Sequence, residues 1–279
     1  MVKEDKSKFG SGQLLNFAKD SYLERTSRPI YALMFLLPFI IFYELGTIFI
    51  NTDVLDKSQI RVVAFVWLQQ GLEYINLGGK FSWVAPPLFV VIILLWMQLA
   101  SRKSWSFIVT DVIPMTVECI LIAIPLLVLS LVLNSSSAPS NAAVYLQNGS
   151  LVVDRSLLAD VVTGIGAGIY EELIFRLILI SLLMIIFQDV LRLEHSNAII
   201  LSIFVSAALF SAHHHLVFLD GRVSQSSPFS FSVFIFRTIA GVYFATVFAV
   251  RGFGITAGAH AFYDILATII NAAFFSEQY

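Results

Sequence analysis

Charge is scarce in this sequence. Asp, Glu, Lys and Arg make up 13% of its 279 residues, against 58% hydrophobic, whereas a soluble globular domain carries about 25% charged and about 45–50% apolar residues. Mean hydropathy is +0.84. There are too few charges to cover a water-soluble fold, which excludes an ordinary cytosolic enzyme and a disordered chain. Cysteine is nearly absent: Cys119 stands alone, so no internal disulfide can form and a disulfide scaffold is excluded. A basic excess is missing too. The net charge is −2, and nucleic acid is not expected as a partner. No long apolar stretch with a small-residue cleavage site opens the chain, so no secretory signal is read. Period-2 alternation, the mark of a membrane β-barrel, does not occur.

What is present is a series of long apolar runs. A helix crossing the hydrocarbon core needs about 20 mostly apolar residues. The runs at 30–50, 82–100, 106–133, 157–188, 197–218, 229–250 and 255–273 qualify. A further stretch, 60–77, is interrupted and reads as an interfacial helix or a short eighth crossing. Backbone polar groups cannot stay unpaired in lipid, so these runs are expected to be helical. The expectation is an all-α polytopic membrane protein, a bundle of about seven to eight transmembrane helices with the bilayer as its first partner. Residues 1–29 read as a polar cytoplasmic tail. Residues 30–156 read as N-terminal membrane helices and an extracytoplasmic loop, and 157–273 as the helical core that carries the chemistry. Lys3, Lys6, Lys8, Lys19, Arg25 and Arg28 precede the first run, and Arg102, Lys103, Arg192 and Arg251 fall on the same side. Lys57, Arg61, Lys80, Arg155 and Arg222 fall opposite, over longer stretches. By the positive-inside rule the N-terminus is expected in the cytoplasm; a bacterial host would make the membrane the plasma (inner) membrane. Asn134-Ser135-Ser136 and Asn148-Gly149-Ser150 match the glycosylation acceptor pattern, which has meaning only in a eukaryote.

Ionisable residues inside spans are costly and mark function. Here they cluster. Glu171, Glu172 and Arg176 lie in the fourth run; Phe210 is followed by His213, His214 and His215 at the end of the fifth; His260 and Asp264 lie in the seventh. Residues four apart share a helix face, so Glu172 can pair with Arg176 and His260 with Asp264. Glu171 points about 100° away from Glu172 and need not share the arginine, which leaves it as a candidate general base. Each piece alone has a structural explanation, as an ion pair or a packing residue. Together, on separate spans, they are hard to explain as stability. Glu44, Asp111, Glu118 and Arg237 are further charges in or near spans. Glu118 could contact the cluster or pair with Arg237, and these four are left outside the site.

In that order, Glu-Glu-x-x-x-Arg (Glu171, Glu172, Arg176), Phe-x-x-x-His (Phe210, His214) and His-x-x-x-Asp (His260, Asp264) resemble the CPBP family of type II CAAX prenyl endopeptidases and Abi membrane proteases, over roughly 157–272. The resemblance implies an intramembrane endopeptidase acting on a membrane-associated or lipidated protein or peptide. It implies that Glu171, aided by His214, activates a water, that His260 and Asp264 face the scissile carbonyl oxygen, and that Arg176 holds Glu172. It implies as well that Phe210 packs beside the site, and its Phe-x-x-x-His pattern selects His214 over its neighbours. The family often carries Asn at the last position. An ionised Asp264 cannot donate a hydrogen bond as Asn would; either it is protonated or it orients His260. No cofactor is certain. Glu171, His214 and His260 form a His₂Glu set of the kind that holds catalytic zinc, yet there is no His-Glu-x-x-His helix, and water can be activated without a metal. The alternatives are a non-proteolytic immunity or scaffold protein of the same family, or a proton-coupled transporter using the acids and histidines as a relay.

One geometric conflict stands in the sequence. Depth counting at about 1.5 Å per residue places His214 near the end of one crossing and His260 near the start of the next but one. Convergence requires tilted, short or broken helices, an unwound segment at Gly252-Phe253-Gly254 and Gly258, or different span boundaries.

Overall fold

The computed structural model describes residues 17–50, 61–76, 83–135, 157–219, 222–225 and 229–274. The second glycosylation match, Ser136 of the first, and most of the loop 134–156 lie outside them. The chain runs through α1 (Tyr22–Thr26), α2 (Pro29–Ile50), α3 (Val63–Tyr74), α4 (Ala85–Ser101), α5 (Val112–Ser135), α6 (Leu157–Val190), α7 (His195–His213), a hairpin β1 (Leu216–Leu219) and β2 (Arg222–Gln225), α8 (Phe231–Arg251) and α9 (Phe253–Phe274). Among the described residues, six helices (α2 and α5–α9) are long and apolar enough to cross a membrane. The second expected run, α4, has 17 residues, about 25 Å of helix, the short end of what crosses the hydrocarbon core. The interrupted stretch becomes α3, whose 12 residues reach only about 18 Å. The protein is an all-α polytopic membrane protein with one departure: the end of the fifth apolar run is an antiparallel strand, Leu216 opposite Gln225, rather than the last turn of a helix.

Large apolar side chains such as Phe49, Trp96, Ile113 and Phe204 are exposed along the helices, as expected of faces turned to lipid rather than water. The interior is built around α6 and α9. Three glycines of α6 allow this. A Cβ on Gly164 would stand 2.7 Å from the Cβ of Asp264, and one on Gly168 would stand 2.6 Å from the backbone nitrogen of Ala261. These glycines are four residues apart and lie on one stripe, the small-xxx-small pattern that lets membrane helices approach backbone to backbone. Gly166, on another side of α6, takes the ring of Tyr43 from α2. The next residue on the Gly164–Gly168 stripe is Glu172.

The depth conflict is resolved by boundaries. α7 ends at His213, earlier than the apolar run suggests. α8 and α9 are joined by Gly252 alone, at φ 80°, a conformation that favours glycine. Gly254 and Gly258 are helical, so the expected unwound stretch reduces to one residue. Ser206 of α7 donates to the carbonyl of Phe175 at 2.6 Å, and Ser211 donates to that of Phe234 at 2.7 Å. These bonds align the end of α7 with the middle of α6 and the first turns of α8.

Candidate active site

The regular turns of α6 stop at Glu172, and Leu173–Ile180 continue as a π-helix. Such wide turns recur at functional sites because they displace side chains from the regular 3.6-residue stripe. Here the change of pitch falls between the two acids and Arg176.

Glu172 is fully buried, and both its oxygens are used. Oε2 lies 3.0 Å from Nε of Arg176, and Oε1 accepts from Nδ1 of His260 at 2.7 Å. Arg176 is itself fully buried. Its Nη2 donates to the Gly241 carbonyl at 3.4 Å, and its guanidinium lies over the Phe210 ring at 4.2 Å. Phe210 is thus the face on which the arginine rests. His260 is stacked on Phe244, with ring centroids 4.7 Å apart, and its Nε2 lies 3.6 Å from Oδ2 of Asp264. That distance is beyond a normal hydrogen bond but close enough for charge to act. The imidazole is therefore fixed between two carboxylates of different helices.

Glu171 is turned another way. Its Oε1 lies 3.6 Å from Nε2 of His213. The histidines owe their orientation to the end of α7. The backbone N–H of His214 turns to Ser211 and Ala212, so the Phe210 carbonyl lacks its usual helical donor. The Nδ1 atoms of His213 and His214 both take its place, at 2.5 and 2.9 Å. A carbonyl only accepts, so both rings carry their proton on Nδ1 and present Nε2 as the lone-pair face. Phe175 and Trp67 close over the His213 ring, with centroids 4.7 and 5.6 Å away.

The expected metal set was Glu171, His214 and His260. The set gathered in the structure is different: ligand atoms of Glu171, His213 and His214 lie within 4.8 Å of one another. His260 is drawn off by Glu172. His213 is thus the residue that the sequence reading passed over in favour of its neighbour, because the Phe-x-x-x-His spacing does not report which ring the helix end turns toward the acid. The glycine stripe was also missed, although Gly-x-x-x-Gly in an apolar helix is a readable signal.

The remaining charges are mostly in structural pairs. Glu44 meets Arg61 at 3.0 Å and accepts from the Tyr170 hydroxyl. Asp111 meets Arg25 at 3.0 Å and accepts from the Tyr31 hydroxyl. Glu118 pairs with Arg251 rather than with Arg237, at 2.9 Å from Nη2. Tyr22 donates to the same carboxylate, while Arg251 also reaches Thr26, Ser27 and the Leu23 carbonyl. The segment from Phe17 to Arg28, expected as a polar tail, is in this way clasped onto α5 and the α8–α9 corner. Lys103 meets Glu24 at 3.3 Å in the same region, so several of the basic residues assigned to one side by charge counting do gather at one end.

A polar centre of acids, imidazoles and an arginine, buried where helices long enough to span a bilayer pack together, defines an integral membrane protein with an enzyme-like interior. Residues 154–266 match the family model described as Type II CAAX prenyl endopeptidase Rce1-like. This part of the chain is similar to that family, in keeping with the resemblance of its three motifs, and it contains every residue of the site. No curated protein and no solved structure matches the chain.

Proposed function

We propose that the protein is an intramembrane endopeptidase that hydrolyses a peptide bond in a membrane-associated or lipidated protein, with its N-terminus in the cytoplasm. The observation that supports this most is the division of labour between adjacent acids. Glu172 is spent on Arg176 and His260, while the ion-pair contact of Glu171 among the described residues is to an imidazole, His213. A paired carboxylate cannot serve as a base without breaking its pair, so the chemistry falls to Glu171.

In this reading a water held between Glu171 and the Nε2 faces of His213 and His214 gives a proton to Glu171. Its oxygen attacks the carbonyl carbon of the scissile bond, and the carbonyl electrons move onto oxygen. The tetrahedral intermediate collapses as the C–N bond breaks, and the proton on Glu171 passes to the leaving amine. Arg176 and Phe210 hold the geometry. His260 and Asp264 position Glu172 and set the charge on the far side of the site.

The donor set also fits a divalent ion. Each histidine donates Nδ1–H to a carbonyl, which leaves Nε2 free to bind, and His213 turns its Nε2 to the acid, the outer-shell arrangement that metal-bound imidazoles adopt. Glu171, His213 and His214 would hold it, and zinc there would supply a Lewis acid and a more acidic water.

Reconstitution into proteoliposomes tests the class. Cleavage is followed by mass spectrometry on two peptides, one with a prenylated cysteine near its C-terminus and one unmodified transmembrane segment. Proton flux is followed in the same vesicles. Cleavage without flux is expected; flux without cleavage would make the acids a proton relay.

A further inference from the structure

The family resemblance implies that His260 faces the carbonyl oxygen of the scissile bond. In the structure its two ring nitrogens face Glu172 and Asp264, so the imidazole is committed to the protein's own carboxylates. Another cation stands closer to the task. Arg237, on α8, is 8% exposed. The carbonyl of Phe234, three residues before it, is held by Ser211 of α7, and that of Gly241, four residues after it, by Arg176. Phe234, Arg237 and Gly241 recur at helical spacing on one face of α8, and that face is held against α7 by Ser211 and against α6 by Arg176. The charged and titratable groups that act on it or feel it are Glu171, Tyr263, His214 and His215.

Arg237 differs from the other arginines of the interior. Arg28, Arg61, Arg176 and Arg251 each meet a carboxylate at 3.0 Å or less. Among the described residues, Arg237 makes no ion pair within 4.0 Å. A buried guanidinium without a counter-ion costs several kcal/mol, and a membrane protein that retains one uses it. Glu171 is the carboxylate that acts on Arg237, and it does so from beyond ion-pair distance. A general base and a cation that act on each other without pairing are the two poles that peptide hydrolysis requires, one for the water and one for the carbonyl oxygen.

Building on the peptidase reading, we propose that Arg237 is a catalytic residue that binds the oxyanion of the tetrahedral intermediate. As the water oxygen bonds to carbon, the carbonyl electron pair becomes an O⁻ facing the guanidinium. When the C–N bond breaks, the pair returns to the carbonyl. Arg237 stays protonated throughout, so no proton is drawn from it. Its charge interacts weakly with the neutral substrate and strongly with the intermediate, which is the condition for raising kcat rather than binding.

The test uses the full chain in proteoliposomes and one cleavable peptide in two forms, with a free C-terminal carboxylate and with a C-terminal amide. Arg237→Gln is expected to lower kcat by about 10²–10³-fold on both forms, with KM little changed. Arg237→Lys, which keeps the charge but loses the forked donors, is expected to fall between the variant and the parent. A loss confined to the free-acid peptide, carried by KM, would overturn the proposal and make Arg237 an anchor for the substrate's terminus. Unchanged kcat in both variants would overturn it outright. If Arg237→Gln does not fold, Arg237→Lys decides on the same kcat and KM criteria. Absence of cleavage by the unmodified protein is a separate outcome, which contradicts the peptidase reading itself.

Discussion

Glu172 and His260 meet at 2.7 Å across the α6–α9 contact that Gly164 and Gly168 make possible. This hydrogen bond joins the two helices at membrane depth, and it also fixes Arg176, whose other neighbours are a ring face and a carbonyl. Removing the acid leaves a buried guanidinium and a buried imidazole without their anion. Glu172→Gln is expected to destabilise the protein by about 3–5 kcal/mol. The double change Glu172→Gln with Arg176→Met is expected to recover part of that loss, read as unfolding midpoints in detergent. A double variant as unstable as the sum of its singles would mean that the pair is not coupled.

The glycine stripe makes a second, sharper contrast. A Cβ on Gly168 meets backbone of α9 at 2.6 Å, whereas nothing lies within 4 Å of a Cβ on Gly71 of α3. Overpacking costs about 1–3 kcal/mol, so Gly168→Ala is expected to lower stability by at least that and to separate Glu172 from His260. Gly71→Ala is expected to raise stability by about 0.4–1 kcal/mol through the unfolded state. Equal effects of the two substitutions on the unfolding midpoint would contradict the packing described.

The position of the rings predicts a ranking among the histidines. His213 Nε2 is the imidazole nitrogen seen 3.6 Å from Glu171, so His213→Ala is expected to cost at least as much kcat as His214→Ala, within the about 10²–10⁴-fold range of acid–base groups. His195 bonds Gln188 in an exposed position, and His195→Ala is expected to leave cleavage unchanged. Steady-state kinetics on one peptide checks all three; full activity of His213→Ala beside an inactive His214→Ala would restore the assignment drawn from motif spacing.

Much of the site was legible because its residues are anomalies. Acids and imidazoles in apolar runs stand out by their cost, and i, i+4 spacing correctly paired Glu172 with Arg176 and brought His260 and Asp264 together. The membrane class followed from composition, and its helical form from the length of the apolar runs and the need to pair backbone groups in lipid. What could not be read were quantities set by tertiary contact. The end of α7 at His213 depends on a hairpin whose strand continues an apolar run without a break. The ring that faces Glu171 depends on how two imidazoles share one orphan carbonyl. The partner of Glu118 lies at the far end of α8, at Arg251 rather than Arg237, and no spacing rule reports an ion pair 133 residues apart.

The N-terminal clasp has a pH dependence of definite sign. Burial alone would raise the Glu24 carboxyl, but Arg28 and Lys103 beside it hold it below its ordinary 4.5. Its stabilising contribution is complete above that value and is lost as pH falls through the lowered folded value. The clasp is therefore expected to stay closed through neutral and mildly acidic pH and to loosen only in stronger acid. Glu118→Ala, which removes the anion shared by Tyr22 and Arg251, is expected to loosen it at pH 7. Hydrogen exchange of residues 17–28 measures both; protection that falls between pH 7 and 5, or that survives Glu118→Ala, would contradict the assignment.

The central claim is that Glu171 is the base and Glu172 its structural neighbour. It is tested most directly by Glu171→Gln in the reconstituted protein, with cleavage and unfolding measured on the same preparation. The account predicts cleavage reduced by at least about 10²-fold with the unfolding midpoint close to the parent, because the contact of Glu171 to His213 is, at 3.6 Å, longer than a hydrogen bond. Full cleavage by Glu171→Gln, in a protein shown to be folded, would contradict it.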